Sequence, residues 1–378
     1  MNRIAFTEDP QKMVEIAKGI VEEKKEKYTD AMFNLLRGSV ERRFPDADPA
    51  EIQRQIYLTI YHYWAYGASA DEYYYYNFAD KTHEEKMEYM TFQVRMMYGK
   101  HLNELDKAHI LMNKYETYQY FTDEYLRDMI PCRSDDDYEA FLAFTSKHPT
   151  FVVKPTDMGG GRGVHLATVL DLDESGKRNL FKSLLSEGAA NRGKYLRGKE
   201  PTVVLEEVIE QDERIAVFNP ESINGVRVNT LRINDEIIIY EPWLKIGRGG
   251  NFLTSAVFGT MDAGIDEKTG IVNTHGYTET GEIWKNHPDN NLEIKGFQIP
   301  QWAELVELAK KCAQRMPFFT YIAWDFALSK KGWCIMEGNY CGDFMWQLYR
   351  ERGMKKEFDE LVGWKLDKEF WWQGEDHR

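Results

Sequence analysis

Lys154 follows a short apolar run, Phe151-Val152-Val153, and precedes four glycines, Gly159, Gly160, Gly161 and Gly163, with Arg162 among them. Glycine lets backbone N–H groups approach an anion closely, and successive N–H groups form an anion-binding concavity. Lys154 and Arg162 add positive charge. The combination suits a polyphosphate held under a hairpin whose returning strand runs from Val164 to Val169. Two familiar phosphate sequences are not met here. G-x-x-x-x-G-K-[ST] is absent, and Val164 and Leu166 fall where G-x-G-x-x-G needs its third glycine. A glycine-rich surface loop without a ligand would read the same way, so a second signal has to decide.

That signal is WDFALSKKGWCIMEGN, Trp324 to Asn339. With Lys330-Lys331-Gly332 as a three-residue turn and Gly332 in the left-handed position, Asp325 comes opposite Glu337 on one sheet face. Asn339, two residues on, shares that face. Two carboxylates and an amide oxygen make a hard, oxygen-only set, suited to Mg²⁺ bridging nucleotide phosphates and unsuited to zinc. Taken alone, the three would equally be solvated residues at a strand end.

The chain that must position these residues is 378 residues long, enough for two or three domains. Hydrophobic residues make up 43% and charged residues 29%, a globular balance. The net charge of −14 argues against a general nucleic-acid binder, which needs a basic surface. No apolar run reaches the length of a membrane span, and the first residues lack a signal-peptide core. The cysteines, Cys132, Cys312, Cys334 and Cys341, show no paired metal spacing and read as reduced thiols of a cytoplasmic protein.

Residues from about 7 to 112 read as helical. Thr7 to Pro10 is a start signal, Asp48-Pro49 a cap and first turn, Gly67 a stop, and Thr82 with Glu85 a capping box for a helix reaching Met96. The run Tyr73 to Tyr76 is read as packing, with hydroxyls at the edge. Asn113 opens a short helix that Pro131 is expected to end, and Ser134 to Asp137 caps another. Asp171 to Gly198 reads as helix plus exposed loop. From Pro201 strands take over. Thr202 to Leu205 runs into Glu206-Glu207-Val208-Ile209, and Asn234-Asp235 joins a hairpin. Glycines 247, 249 and 250 mark a second loop. An amphipathic helix lies between Pro300 and Pro317. The tail carries Phe370, Trp371 and Trp372.

A lysine-bearing glycine hairpin, then a strand ending in acidic residues, then D-x11-E-x-N, in that order, resembles the ATP-grasp superfamily over roughly residues 113 to 345. The segments GASADEYYYYNFAD and NPESINGVRVNTLRI resemble a sub-group associated with sugar transfer and polysaccharide loci. The resemblance implies an α+β fold of two subdomains sandwiching ATP, preceded here by a helical N-terminal domain. The boundaries expected are 1–112, 113–200, 201–364 and a tail, 365–378. The resemblance makes Lys114 and Lys154 the nucleotide lysines, and Gly159, Gly160, Gly161, Arg162 and Gly163 the lid over the phosphates. Glu206, Glu207 and Ile209 become the adenine hinge, with Asp212 or Glu213 on the ribose. Asp325, Glu337 and Asn339 would hold Mg²⁺, and Arg227 would meet the γ-phosphate or the substrate. The family's usual preceding βαβ unit is replaced by helices, so the acceptor side rests on other candidates: Asn224, Lys245, Arg248 and Asn251.

The activity implied is an ATP- and Mg²⁺-dependent ligase joining a carboxylate to an amine or similar nucleophile through an acyl phosphate, in sugar-linked or polysaccharide metabolism. One alternative is a kinase of a sugar or polyol hydroxyl, which needs a general base. Asp262 and His275 are the candidates, and neither sits in a motif. A non-catalytic nucleotide-binding module is the other alternative, and the intact set of Lys, Gly, Asp, Glu and Asn argues against it.

Overall fold

The computed structural model describes residues 4–190, 202–250, 252, 254 and 259–366. The 365–378 tail falls almost entirely outside them, as does Asn251. Helices fill the first part of the chain, as their caps dictate. Asp9 accepts the Gln11 N–H ahead of Pro10, and Asp48 accepts the N–H groups of Ala50 and Glu51 ahead of Pro49. Gly67, at φ 73°, closes the helix Pro49–Tyr66 in the left-handed conformation.

The capping box at Thr82 and Glu85 is present, but its helix is only His83–Met87, and a separate helix follows at Phe92–Leu102. Long-range bonds hold the break. Met90 N–H donates to Gln347 and Phe92 N–H to the Glu72 carboxylate. Neither partner could be foreseen from local pattern. In the tyrosine run, Tyr73 and Tyr76 are buried, and the Tyr76 hydroxyl donates to the Phe344 carbonyl.

Two antiparallel sheets follow. The smaller comprises β1 (Met129–Cys132), β2 (Thr150–Pro155), β3 (His165–Thr168) and β4 (Val203–Glu207), in the order β1-β4-β2-β3. Pro131 does not end a helix. It lies inside β1, an edge strand, where a missing N–H costs no ladder bond. The helix opened by Asn113 stops at Tyr120. The helices Tyr138–Lys147 and Glu174–Ala190 cover this sheet, with Phe141, Phe151, Phe181 and Leu205 at its core.

The larger sheet comprises β5 (Gly225–Ile233), β6 (Glu236–Ile246), β7 (Met261–Gly264), β8 (Gly276–Tyr277), β9 (Ile283–Trp284), β10 (Tyr321–Ser329) and β11 (Gly332–Asn339), in the order β11-β10-β5-β6-β7-β8-β9. Asn234 and Asp235, both at positive φ, turn β5 into β6 as a two-residue hairpin requires. One face of this sheet packs the amphipathic helix Trp302–Gln314 through Leu305, Ala309 and Cys312, against Val228, Trp324 and Phe326. On the opposite face, Leu231, Trp243 and Tyr321 join Trp64 and Tyr98 of the helical part in a second core. That face stays open farther along, around Asp325 and Arg227, where the cleft begins.

Candidate active site

The β10–β11 hairpin reaches the expected pairing by a different route. Ser329 pairs with Gly332, so the turn is the two residues Lys330-Lys331. Farther along, Phe326 pairs with Ile335 but Asp325 pairs with Glu337, leaving Met336 as the extra residue of a β-bulge. The bulge supplies the offset the longer turn was meant to give. It also lets the adjacent Met336 and Glu337 both line the cleft, which strict alternation forbids. Asn339 pairs with Ala323 and lines the cleft too. The oxygen cluster therefore assembles on one face.

The cleft between the two sheets has a volume of about 1180 Å³. Lys114 and Lys154 enter it from the smaller-sheet side. Lys114 is the first residue of the helix Lys114–Tyr120; its backbone N–H bonds the Thr156 carbonyl and its ammonium the Met158 carbonyl, at 2.8 and 2.6 Å. Its Nζ lies 4.0 Å from Glu337 Oε1, which ties the two sides of the cleft together. Gly159, Gly160, Gly161 and Arg162 line the cleft; Gly163 does not. A Cβ on Gly163 would stand 2.7 Å from Pro155 Cγ at φ +72°, so this glycine lets the hairpin fold back on itself.

Lys154 Nζ lies 2.7 Å from Glu206 Oε2, and Arg127 Nε reaches the same oxygen at 3.0 Å. Burial opposes the charge on Glu206, yet Lys154 and Arg127 outweigh it and hold the carboxyl down at about 2. Burial depresses the Lys154 ammonium against the pull of Glu206. Arg127 was not singled out from the sequence, where nothing but the fold reveals that it meets Glu206. The Glu207 carboxylate is taken by Lys331 at 2.7 Å and by the Asp128 N–H. Ile209 and Glu213 line the cleft. Asp212 is instead the cap of the short helix Glu213–Ala216 and is ion-paired with Arg214.

Arg227 grips Asp325 with Nε at 2.5 Å and Nη2 at 2.8 Å, and Lys245 Nζ stands 3.3 Å from the same carboxylate. Burial would push the Asp325 carboxyl up, but these two cations hold it below the usual range. Lys245 and Asp262 line the far end of the cleft. The other acceptor-side candidates do not. Asn224 is fully buried and bonds Gln211, the Asn219 carbonyl and the Gly247 N–H. Arg248 pairs with Asp289, and His275 lies outside the cleft lining. Arg95, from the helix Phe92–Leu102, and Glu279, from the β8–β9 turn, reach this end unannounced by any motif.

The residues fit a magnesium–nucleotide. Ammonium and guanidinium groups and a glycine loop face a cluster of three oxygen-bearing side chains across one cleft, the donor set that polyphosphate and a hard cation need together. Val152, Leu166, Ile209 and Met336 form an apolar stretch of wall; Leu166 is 45% exposed, an open surface for a flat ring. Glu206 Oε1 is buried without a hydrogen-bond partner beside it.

The sequence places the chain in a class. A model of sugar-transfer associated ATP-grasp proteins matches residues 93–361, most of the chain. The chain belongs to the ATP-grasp superfamily and, within it, to this sugar-transfer associated family. No curated protein sequence matches it. Among solved structures it is similar to D-alanyl-alanine synthetase A from Vibrio cholerae, with 13% identity, 68% of this chain and 62% of that chain covered, and a TM-score of 0.38. It is also similar to N5-carboxyaminoimidazole synthetase from Staphylococcus aureus complexed with ADP, with 13% identity, 70% and 55% covered, and a TM-score of 0.43. A third is phosphoribosylamine–glycine ligase from Thermotoga maritima, with 11% identity, 63% and 49% covered, and a TM-score of 0.39. The chain thus spans less than two thirds of the length of each. Among the described residues no helix is long and apolar enough to cross a membrane.

Proposed function

We propose that the protein is an ATP- and Mg²⁺-dependent ligase that joins a carboxylate to an amine or similar nucleophile through an acyl phosphate, in sugar-linked or cell-surface polysaccharide metabolism. The observation that carries the reading is the placement of Arg227 and Lys245 directly beside the oxygen cluster, at the inner end of the nucleotide cleft. A carboxylate is ionised at neutral pH and needs no base to attack the γ-phosphorus, but its charge needs a cation to approach the triphosphate.

Phosphoryl transfer depends on positioning and charge neutralisation more than on covalent help. Lys114, Lys154 and the loop Gly159 to Arg162 hold the phosphates. Glu206, Glu207 and Ile209 border the base, and Glu213 the ribose. Asp325, Glu337 and Asn339 would hold Mg²⁺, which when bound neutralises the β- and γ-phosphate oxygens. A carboxylate oxygen then bonds the γ-phosphorus as the bond to ADP breaks. Arg227 and Lys245 balance the charge of the resulting acyl phosphate. The acceptor's lone pair attacks the acyl carbon, phosphate leaves with the C–O electron pair, and the acceptor's proton is lost.

A kinase of a sugar or polyol hydroxyl is the second reading, favoured by one observation. Asp262 lines the cleft, and burial pushes its carboxyl up to about 6, within reach of a general base's range. Incubation with ATP, Mg²⁺ and a metabolite extract, with and without hydroxylamine, separates the two. The ligase gives a hydroxamate with ADP and free phosphate. Stable phosphate on an acceptor hydroxyl, with no free phosphate, establishes the kinase.

A further inference from the structure

Beyond the oxygen cluster the cleft continues along one face of the larger sheet. Asp325 on β10 is in register with Arg227 on β5, Arg227 with Trp243 on β6, and Lys245, two residues along β6, with Asp262 on β7. Glu279 closes this end from the β8–β9 turn. Both cations of the row bond Asp325. Among the described residues, neither Asp262 nor Glu279 has an ion-pair partner within hydrogen-bonding distance.

The charges around the two acids are mixed. Asp262 faces Lys245 and Arg227 but also Asp325. Glu279 faces Asp262 and, from the helical part, Asp71, with Lys245 and Arg42 opposing. Burial prevails over the cations at both. It pushes Asp262 up to about 6 and, with Asp262 and Asp71 adding to it, Glu279 up to about 7. Two desolvated acids, the first of which disfavours ionisation of the second, are relieved by a cation between them.

The indole N–H of Trp243, a residue only 1% exposed, is turned toward Asp262. One buried N–H group at the same end is also unused. The Nε of Arg95, a residue 9% exposed, has no hydrogen-bond partner, although its Nη1 pairs with the exposed Asp343. An unmatched donor calls for an oxygen on whatever binds, and unmatched acids call for a cation.

We propose that Asp262 and Glu279 form the subsite that takes the acceptor as a protonated primary amine, with Arg95 receiving an oxygen group on the same molecule. This rests on the ligase reading, and it places the amine next to the acyl phosphate that Arg227 and Lys245 would hold. The acceptor side is then built jointly by the sheet and by the helical part that stands in for the usual preceding βαβ unit.

Calorimetry tests it with the full chain, Mg²⁺ and a non-hydrolysable ATP analogue at pH 8. The probes are three primary amines carrying oxygen groups, glycinamide, ethanolamine and glucosamine, each against its N-acetyl counterpart. At least one amine binds, at least 10-fold more tightly than its acetylated form. Asp262→Asn and Glu279→Gln each weaken that binding at least 10-fold while the nucleotide still binds, which shows that the variants are folded. Equal binding of amine and acetylated form overturns the proposal, as do native-like affinities in both variants, or nucleotide binding with no amine binding at all. If the nucleotide itself gives no heat, the ligase reading falls and takes this subsite with it.

Discussion

Arg227 and Asp325 face each other in register across β5 and β10, and the guanidinium holds both carboxylate oxygens. The pair is almost fully buried, with side-chain exposures of 7% and 13%. A carboxylate expected to ligate Mg²⁺ is therefore engaged by Arg227 and Lys245. In the proposed metal site these two cations would brace the ligand from behind.

The two carboxylates proposed to hold Mg²⁺ should respond differently to neutralisation. Glu337, 30% exposed at its side chain with Lys114 only 4.0 Å away, loses little on becoming Gln. Glu337→Gln keeps a near-native melting temperature and lowers ATP turnover on the order of 100-fold or more, the scale typical when one charge-stabilising group is removed. Asp325→Asn lowers turnover as strongly but also melts earlier, because it weakens a buried ion pair and leaves Arg227 undercompensated. Parallel turnover and melting measurements check both. Near-native turnover in either variant would remove that residue from the metal site.

Arg227→Lys keeps the charge and loses the two-pronged geometry. Turnover falls by about 10- to 100-fold in consequence, on the scale expected when a supporting contact to a metal ligand is lost. Steady-state assays at saturating Mg²⁺ read this directly. An unchanged rate would mean that point charge alone suffices at this position.

Glu206 makes a pH prediction. Its folded carboxyl, at about 2, lies below the ordinary unfolded value near 4.3. A depressed acid contributes stability that is present above the unfolded value and lost as pH falls toward the folded one. The contribution of Glu206 therefore disappears between about pH 4.3 and about pH 2. Glu206→Gln, which leaves Arg127 and Lys154 buried without their shared partner, costs about 3–5 kcal/mol at neutral pH. Urea unfolding at a series of pH values checks it: the gap between native and variant should narrow across that window, and a constant gap would contradict the assignment.

The glycine loop is predicted to close on nucleotide. Hydrogen exchange at Met158 to Gly163 should slow when Mg²⁺ and an ATP analogue are added, because few packing contacts hold these residues otherwise. Equal, strong protection in both states would argue against a lid. Gly163→Ala forces a side chain into the left-handed region against Pro155, at a cost of about 1–2 kcal/mol or more. The thermal melt should register it, whereas Gly159→Ala, with open space around it and no positive φ, should be nearly silent.

Much of the architecture was legible in the chain because its signals are local. Asp9, Asp48 and Gly67 bound helices through the hydrogen bonds of a single turn. Asn234-Asp235 makes a hairpin through two φ angles. The glycine run and the D-x11-E-x-N spacing similarly carried the glycine loop and the oxygen cluster that line the cleft. The pairing of Asp325 with Glu337 was reached from a three-residue turn, whereas the chain uses a two-residue turn and a bulge at Met336. Both give the same offset, so the sequence determined the pairing without revealing how it arises.

What only the tertiary structure decided is where charges meet across distant elements. Arg127 and Lys154 share Glu206 because β2 and β4 are neighbours and Arg127 lies just ahead of β1. Asn224 looked like an acceptor-side residue and proved to be a fully buried bracket for a loop. The break before Phe92 depends on Gln347, which local periodicity cannot report. Arg95, Asp262 and Glu279 come to one end of the cleft from a helix, a strand and a turn widely separated in sequence. Local backbone chemistry acts over a few residues and is written in the sequence in order. Burial and charge pairing act through space, and only the packed chain fixes which side chains share it.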